Sequence, residues 1–275
     1  MSSIQAHAER TERQATRSPA FEALTRAGFV ARGVVYAIIG VLAIQVAMHT
    51  GGTATNQRGA LETIQKQPFG HWLLIAVAVG LGGYALWRLV QAIAGHGPEG
   101  GGDQSGFGRA SAAASGCAYA GMCILAVSIL MGASSQSSSN PHKSTAGVLG
   151  WPGGQWIVAA AGIAFMGVAL YQGYKGVTRE FLDDDKTEQM GPATRRWLTR
   201  IGVVGYLARM VAFGLIGIFV LKAAIDYAPA KAVGLDGALE KLARQSYGTV
   251  LLAVVAAGFV AFGVFSIAES RYRRI

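Results

Sequence analysis

The residues best placed to do chemistry in this sequence are basic ones set inside apolar runs. Arg32 sits in residues 25–48, TRAGFVARGVVYAIIGVLAIQVAM, where only Arg32 and Gln45 interrupt an apolar stretch running from Ala27 to Met48. Arg209 occupies the corresponding place in residues 204–224, VGYLARMVAFGLIGIFVLKAA, and Arg88 lies near the end of another such run. A guanidinium is permanently charged and carries five N–H donors. In hydrocarbon it must either snorkel to the headgroups or find a partner inside the protein. Arg32, Arg209 and Arg88 are therefore the candidates for holding an anion or a lipid headgroup. Two arrangements fit the spacing: a girdle of arginines reaching outward to lipid phosphates, or Arg32 and Arg209 facing the interior at equivalent positions. With Asp226 and Glu269 counted as just outside, the apolar runs contain no carboxylate, which disfavours proton coupling through a buried acid.

Other chemistry finds less support. His49 and His71 bracket one loop, but neither His-x-x-Glu-His nor Cys-x-x-Cys occurs. Asp183-Asp184-Asp185 reads as a solvated loop. Gly100-Gly101-Gly102 is not followed by Lys-Ser or Lys-Thr, and there is no Gly-x-Ser-x-Gly elbow. Cys117 and Cys123 share one apolar run at a spacing that forbids a mutual bridge, and read as small buried residues. No catalytic, cofactor-binding or metal-binding residue is nominated, no cofactor is implied, and a non-enzyme is expected.

The elements that must position these arginines are membrane helices. Of 275 residues, 52% are hydrophobic and only 14% charged, with a mean hydropathy of +0.36. A soluble domain carries about 25% charged residues. Six runs are long enough to cross a bilayer, at about 27–48, 71–94, 110–132, 154–174, 201–225 and 247–268. Residues 1–24 form a polar tail with no apolar core ahead of Ala27, so the first run is expected to serve as the membrane signal. Trp72, Trp87, Trp151, Trp156 and Trp197 fall near run ends, as an aromatic belt requires. Gly80, Gly82, Gly83 and Ala253, Ala257, Ala261 read as packing faces. The excess of 24 Lys+Arg over 15 Asp+Glu is assigned to membrane flanks rather than to nucleic acid.

The runs repeat. Gly28-Phe29-Val30-Ala31-Arg32 aligns with Gly205-Tyr206-Leu207-Ala208-Arg209, Gly59-Ala60-Leu61-Glu62 with Gly237-Ala238-Leu239-Glu240, and Gly80 with Gly258. Glu62 and Lys66 correspond to Glu240 and Arg244, an acid four residues before a base on a short amphipathic helix outside the bilayer. A degenerate middle copy matches Arg26, Gly33 and Tyr36 with Arg109, Gly116 and Tyr119, and Gly70 and Gly83 with Gly154 and Gly167. It has Ser115 where the arginine would stand and is expected to lack the Gly-Ala-Leu-Glu helix. The units are 25–97, 108–181 and 199–275. Each crosses twice, so all three enter in the same orientation, and the fold expected is an all-α integral membrane protein. Its six transmembrane helices form three parallel hairpin repeats in a pseudo-threefold bundle, with the first helix of each unit placed along the axis.

Three tandem two-helix units carrying Gly-aromatic-x-Ala-Arg at Gly28–Arg32 and Gly205–Arg209, with Gly-Ala-Leu at Gly59–Leu61 and Gly237–Leu239, resemble the bacterial family known as Domain of Unknown Function 1206. The resemblance implies a multi-pass protein of the bacterial inner membrane and brings no catalytic residues with it. Thirteen basic residues fall on the side of the tail and C-terminus against six on the other, which places both termini in the cytoplasm. The expected role is a scaffold or accessory protein that binds membrane lipids, a membrane-protein partner or another copy of itself. The alternative is a small-solute or anion transporter or channel using Arg32 and Arg209.

Overall fold

The computed structural model describes residues 19–48, 56–94, 106–132, 141–182, 187–245 and 247–273. Among them are six long apolar helices able to cross a membrane: α1 (Pro19–Ala47), α3 (Gly70–Ala94), α4 (Gly106–Leu130), α6 (Gly154–Thr178), α7 (Pro192–Ile225) and α9 (Gly248–Tyr272). The chain is an all-α, multi-pass membrane protein built from three parallel hairpins. Between the two spans of each unit lies a short helix: α2 (Gln57–Gln65), α5 (Pro141–Leu149) and α8 (Leu235–Ala243). The middle unit thus has a short helix, against the expectation that it lacks one, because the brace forms there from a different sequence, PHKSTAGVL. The tail at residues 1–18, His49 and the Asp183–Asp185 triplet lie outside the described residues.

The short helices are half-buried braces. Asn56 caps α2 by accepting from Gly59 N at 3.1 Å, and Ala60, Leu61 and Ile64 are buried beneath it. Each short helix turns straight back into the next span, and the chain crosses itself at Gly70, Gly154 and Gly248. A Cβ there would come within 2.2 Å of Gln65 O, 1.8 Å of Val148 O and 2.0 Å of Leu242 O, so only glycine fits at the three equivalent corners. The surface pair Glu240–Arg244 forms at 2.7 Å, but Glu62 turns the other way, to Arg58 Nε at 2.8 Å rather than to Lys66.

The pseudo-threefold relation can be read from three contacts between units. Gly33 lies against Ile267, Gly116 against Leu89, and Gly173 against Met210. One layer away, Gly40 meets Val260, Cys123 meets Gly82, and Gly217 meets Met166. These are the same contacts made three times, in the helix pairs α9/α1, α3/α4 and α6/α7. Small residues at each crossing let the backbones approach, which lipid-embedded helices need because burying apolar surface drives nothing there.

The arrangement differs from an inner triplet with an outer shell. First and second helices alternate along one arc, α4–α3–α1–α9–α7–α6. Within the outer units the hairpins close, α1 on α3 and α7 on α9. Within the middle unit α4 and α6 barely meet, and the arc is open there. They are accordingly the least buried spans, each 22% buried against 56% for α1. Gly121 on α4 and Gly167 on α6 have open space where a side chain would stand.

Three sequence expectations fail for packing reasons. Trp87 is buried at 1% exposure beside Phe29 and Tyr84, whereas Trp72, Trp151, Trp156 and Trp197 are exposed as belt residues would be. Ala257 is exposed, so the packing face of α9 is the one carrying Gly258, Phe262 and Gly263. Cys117 faces outward rather than in, while Cys123 is half-buried, its Sγ 3.3 Å from Ala78 O.

Candidate functional site

The inter-unit crossings position the arginines. One residue before the contact triplet just described lie Arg32 opposite Ser266, Ser115 opposite Arg88, and Arg209 opposite Gln172. Each interface between units therefore carries one arginine in the same layer. The blank at Ser115 is matched by a cation on the facing helix, so all three sequence candidates lie in one layer, one at each equivalent crossing.

Arg32 is 5% exposed and points inward, which rules out the outward girdle for this residue. Its Nε donates to Ser266 Oγ at 2.8 Å, Nη1 to Tyr84 Oη at 2.6 Å and Nη2 to Glu269 Oε2 at 2.5 Å. Ser266 in turn donates to the Phe29 carbonyl at 2.8 Å, tying α9 to the α1 backbone. The rings of Phe29, Tyr84 and Phe262 lie 4.8, 5.0 and 5.2 Å from the guanidinium carbon. The charge is paired, each of the three nitrogens donates a hydrogen bond and three rings flank the group, so Arg32 is a structural cation.

Glu269 overturns the expectation that the spans hold no carboxylate. Helix α9 continues to Tyr272, and Glu269 is 2% exposed. Its second oxygen accepts from Arg273 Nη1 at 2.7 Å. The sequence held a signal for it. In every unit the second helix has two polar residues three apart, Arg88/Gln91, Gln172/Lys175 and Ser266/Glu269, which fall on one helical face.

Arg209 is different. It is half-buried, with its guanidinium 4.4 Å from the Phe262 ring, 5.2 Å from Tyr36 and 5.5 Å from Phe213. With the Gln172 carboxamide oriented oxygen-inward, Nη2 and Nε donate to it at 2.8 and 3.1 Å. Among the described residues no carboxylate pairs with it. Arg209 thus reaches Gln172 on α6, at one side of the gap.

Arg88 is half-buried between the rings of Trp87 and Tyr84, at 5.3 and 5.8 Å, and donates from Nη1 to Gln91 Oε1 at 3.1 Å. Among the described residues this polar layer holds Arg32, Arg88 and Arg209, and its carboxylate Glu269 is engaged by Arg32 and Arg273. An excess of fixed cations in a low-dielectric layer attracts anions. At the same end of the bundle Arg179, Arg195, Arg196 and Arg200 line a surface pocket of about 720 Å³. Among the described residues no three of His, Cys, Asp and Glu gather in one place.

The family described as Domain of Unknown Function (DUF1206) matches the chain three times, over residues 27–107, 110–179 and 204–273. An uncharacterized protein of Bacillus subtilis (strain 168), YxxB, is 32% identical over 253 residues, covering 91% of this chain and 90% of that protein. No solved structure matches the chain.

Proposed function

The chain belongs to the family described as Domain of Unknown Function (DUF1206), and from that premise we propose that it is a non-enzymatic membrane protein that binds an anionic lipid at Arg209. The observation that carries this reading is the contrast between two equivalent arginines. Arg32 has a buried carboxylate, and among the described residues Arg209 has a neutral amide and three rings. A half-buried guanidinium at this depth gains most from an anionic acceptor, because the surroundings screen it poorly. The gap between α4 and α6 supplies the route. A headgroup phosphate reaches Arg209 beside Gln172, and the acyl chains lie on the small-residue faces around Gly121 and Gly167. The basic pocket around Arg179, Arg195, Arg196 and Arg200 supports the bacterial inner membrane as the location, with both termini on the cytoplasmic side.

Native mass spectrometry of the protein in mild detergent tests this. Wild type is expected to retain phosphatidylglycerol, Arg209→Lys to retain part, and Arg209→Gln to lose about tenfold in occupancy. Equal retention by wild type and Arg209→Gln overturns the lipid site. The transport alternative has its own measurement, anion flux into liposomes. Flux that Arg209→Gln abolishes would favour conduction over lipid binding.

A further inference from the structure

A second set of donors lies apart from Arg209, around the aromatic triad Phe29, Tyr84 and Trp87. The three rings pack with centroids 5.1–5.4 Å apart. Cations surround them. Arg88 lies 5.3 Å from the Trp87 ring, Arg273 lies 5.6 Å from Trp87 and 5.8 Å from Phe29, and Arg32 closes the side toward Tyr84. In this group, and one turn before it on α1, three buried donors have no hydrogen-bond acceptor among the described residues: Trp87 Nε1, Arg88 Nε and Thr25 Oγ1. Thr25 is one helical turn before Phe29 on the same face of α1. Trp87 and Thr25 are 1% and 0% exposed. A buried donor left without an acceptor costs about 1–3 kcal/mol, so three on the packed turns of α1 and α3 around Gly28 and Tyr84 weigh heavily there.

The chemistry that would relieve it is specific. Trp87 Nε1 can only donate, and so can Arg88 Nε. The partner must therefore be an acceptor with several lone pairs pointing in different directions, and it must carry negative charge to suit Arg88 and Arg273 while Glu269 is engaged by Arg32 and Arg273. Thr25 lies six residues inside the start of α1 and Arg88 six inside the end of α3, about 9 Å in from the helix ends. Both are at the end of the bundle where the basic pocket lies, at the depth a phosphate group reaches.

We propose that Thr25, Trp87 and Arg88, backed by Arg273, form a binding site for a phosphate oxyanion, carried either by a lipid headgroup or by a free phosphate. The site is independent of Arg209, so either can fail alone. Arg88 is its half-buried member and Trp87 its fully buried one.

Trp87 provides the test, because the other four tryptophans are exposed. In a variant carrying Trp72→Phe, Trp151→Phe, Trp156→Phe and Trp197→Phe, emission comes from Trp87 alone. Titrating inorganic phosphate into the detergent-solubilised protein is expected to shift that emission saturably. Transfer from phosphatidylcholine nanodiscs to ones containing phosphatidylglycerol is expected to do the same if the source is a lipid. Response to phosphate alone assigns a soluble anion, and response to phosphatidylglycerol alone assigns a headgroup. Arg88→Gln and Thr25→Val should each weaken the response, Arg88→Gln by about tenfold, while Arg209→Gln should leave it unchanged. Silence toward both probes overturns the proposal, as does an equal response to chloride at matched ionic strength or an unaltered response in both site variants. Should the single-tryptophan protein fail to fold, native mass spectrometry replaces it: phosphate adducts on wild type that Arg88→Gln loses support the site, and equal adducts on the two overturn it.

Discussion

Arg32 and Glu269 meet at 2.5 Å although 237 residues separate them, and this ion pair joins the first span of the chain to the last. Both partners are almost wholly buried, and Glu269 also engages Arg273. The pair closes the α9/α1 interface, the one contact between units that the chain does not make between consecutive spans.

Removing one partner should therefore be worse than removing both. Glu269→Gln leaves two guanidiniums without a carboxylate in a low-dielectric layer, a loss of about 3–5 kcal/mol. The double variant Arg32→Met/Glu269→Leu should recover much of that loss. Thermal unfolding in detergent, read by circular dichroism, checks the order; a double variant no more stable than Glu269→Gln would show that the pair is not the reason.

Two glycines on the second helices of different units should respond unequally. A Cβ at Gly263 would lie 2.6 Å from Gly33 O, while at Gly167 it would meet nothing within 4 Å. Gly263→Ala is expected to cost about 1–3 kcal/mol through forced separation of α1 and α9, whereas Gly167→Ala should be neutral or slightly stabilising. Melting temperatures of the two variants decide it.

The two cysteines should separate by reactivity. Cys117 is exposed on the lipid-facing side of α4, while Cys123 packs against Gly82 and Ala78. A membrane-permeant maleimide is expected to modify Cys117 first, and Cys117→Ser should remove most of the fast labelling. Fast labelling that survives Cys117→Ser would place Cys123 outside the α3/α4 interface.

Orientation has a direct assay. In a Cys117→Ser/Cys123→Ser background, Glu22→Cys and Arg271→Cys should resist a membrane-impermeant maleimide in intact cells, while Gln67→Cys and Arg244→Cys should react. The reverse pattern would place the termini outside.

Much of the fold is legible in the sequence, because its rules are local. A run from Ala27 to Met48 is long enough to span, and the alignment of Gly70, Gly154 and Gly248 marks three corners where backbone crowding admits only glycine. The candidate site is legible in part. Arg32, Arg88 and Arg209 stand out as charges in apolar runs, but Glu269 belongs to the last helical turn and, by hydropathy alone, falls just outside the span.

The sequence alone determined the number of spans, the threefold repetition and the identity of the three arginines, since hydropathy and internal similarity are properties of single segments. Which arginine is neutralised, and where the arc stays open, depended on tertiary structure. Charge neutralisation is a contact between units: Glu269 reaches Arg32 only because α9 packs on α1, and Arg209 meets Gln172 instead. The opening at α4 and α6 likewise follows from how neighbouring pairs are held by α3 and α7. No residue within the middle unit announces it, because Gly121 and Gly167 are ordinary packing residues until the facing helix is seen to be elsewhere.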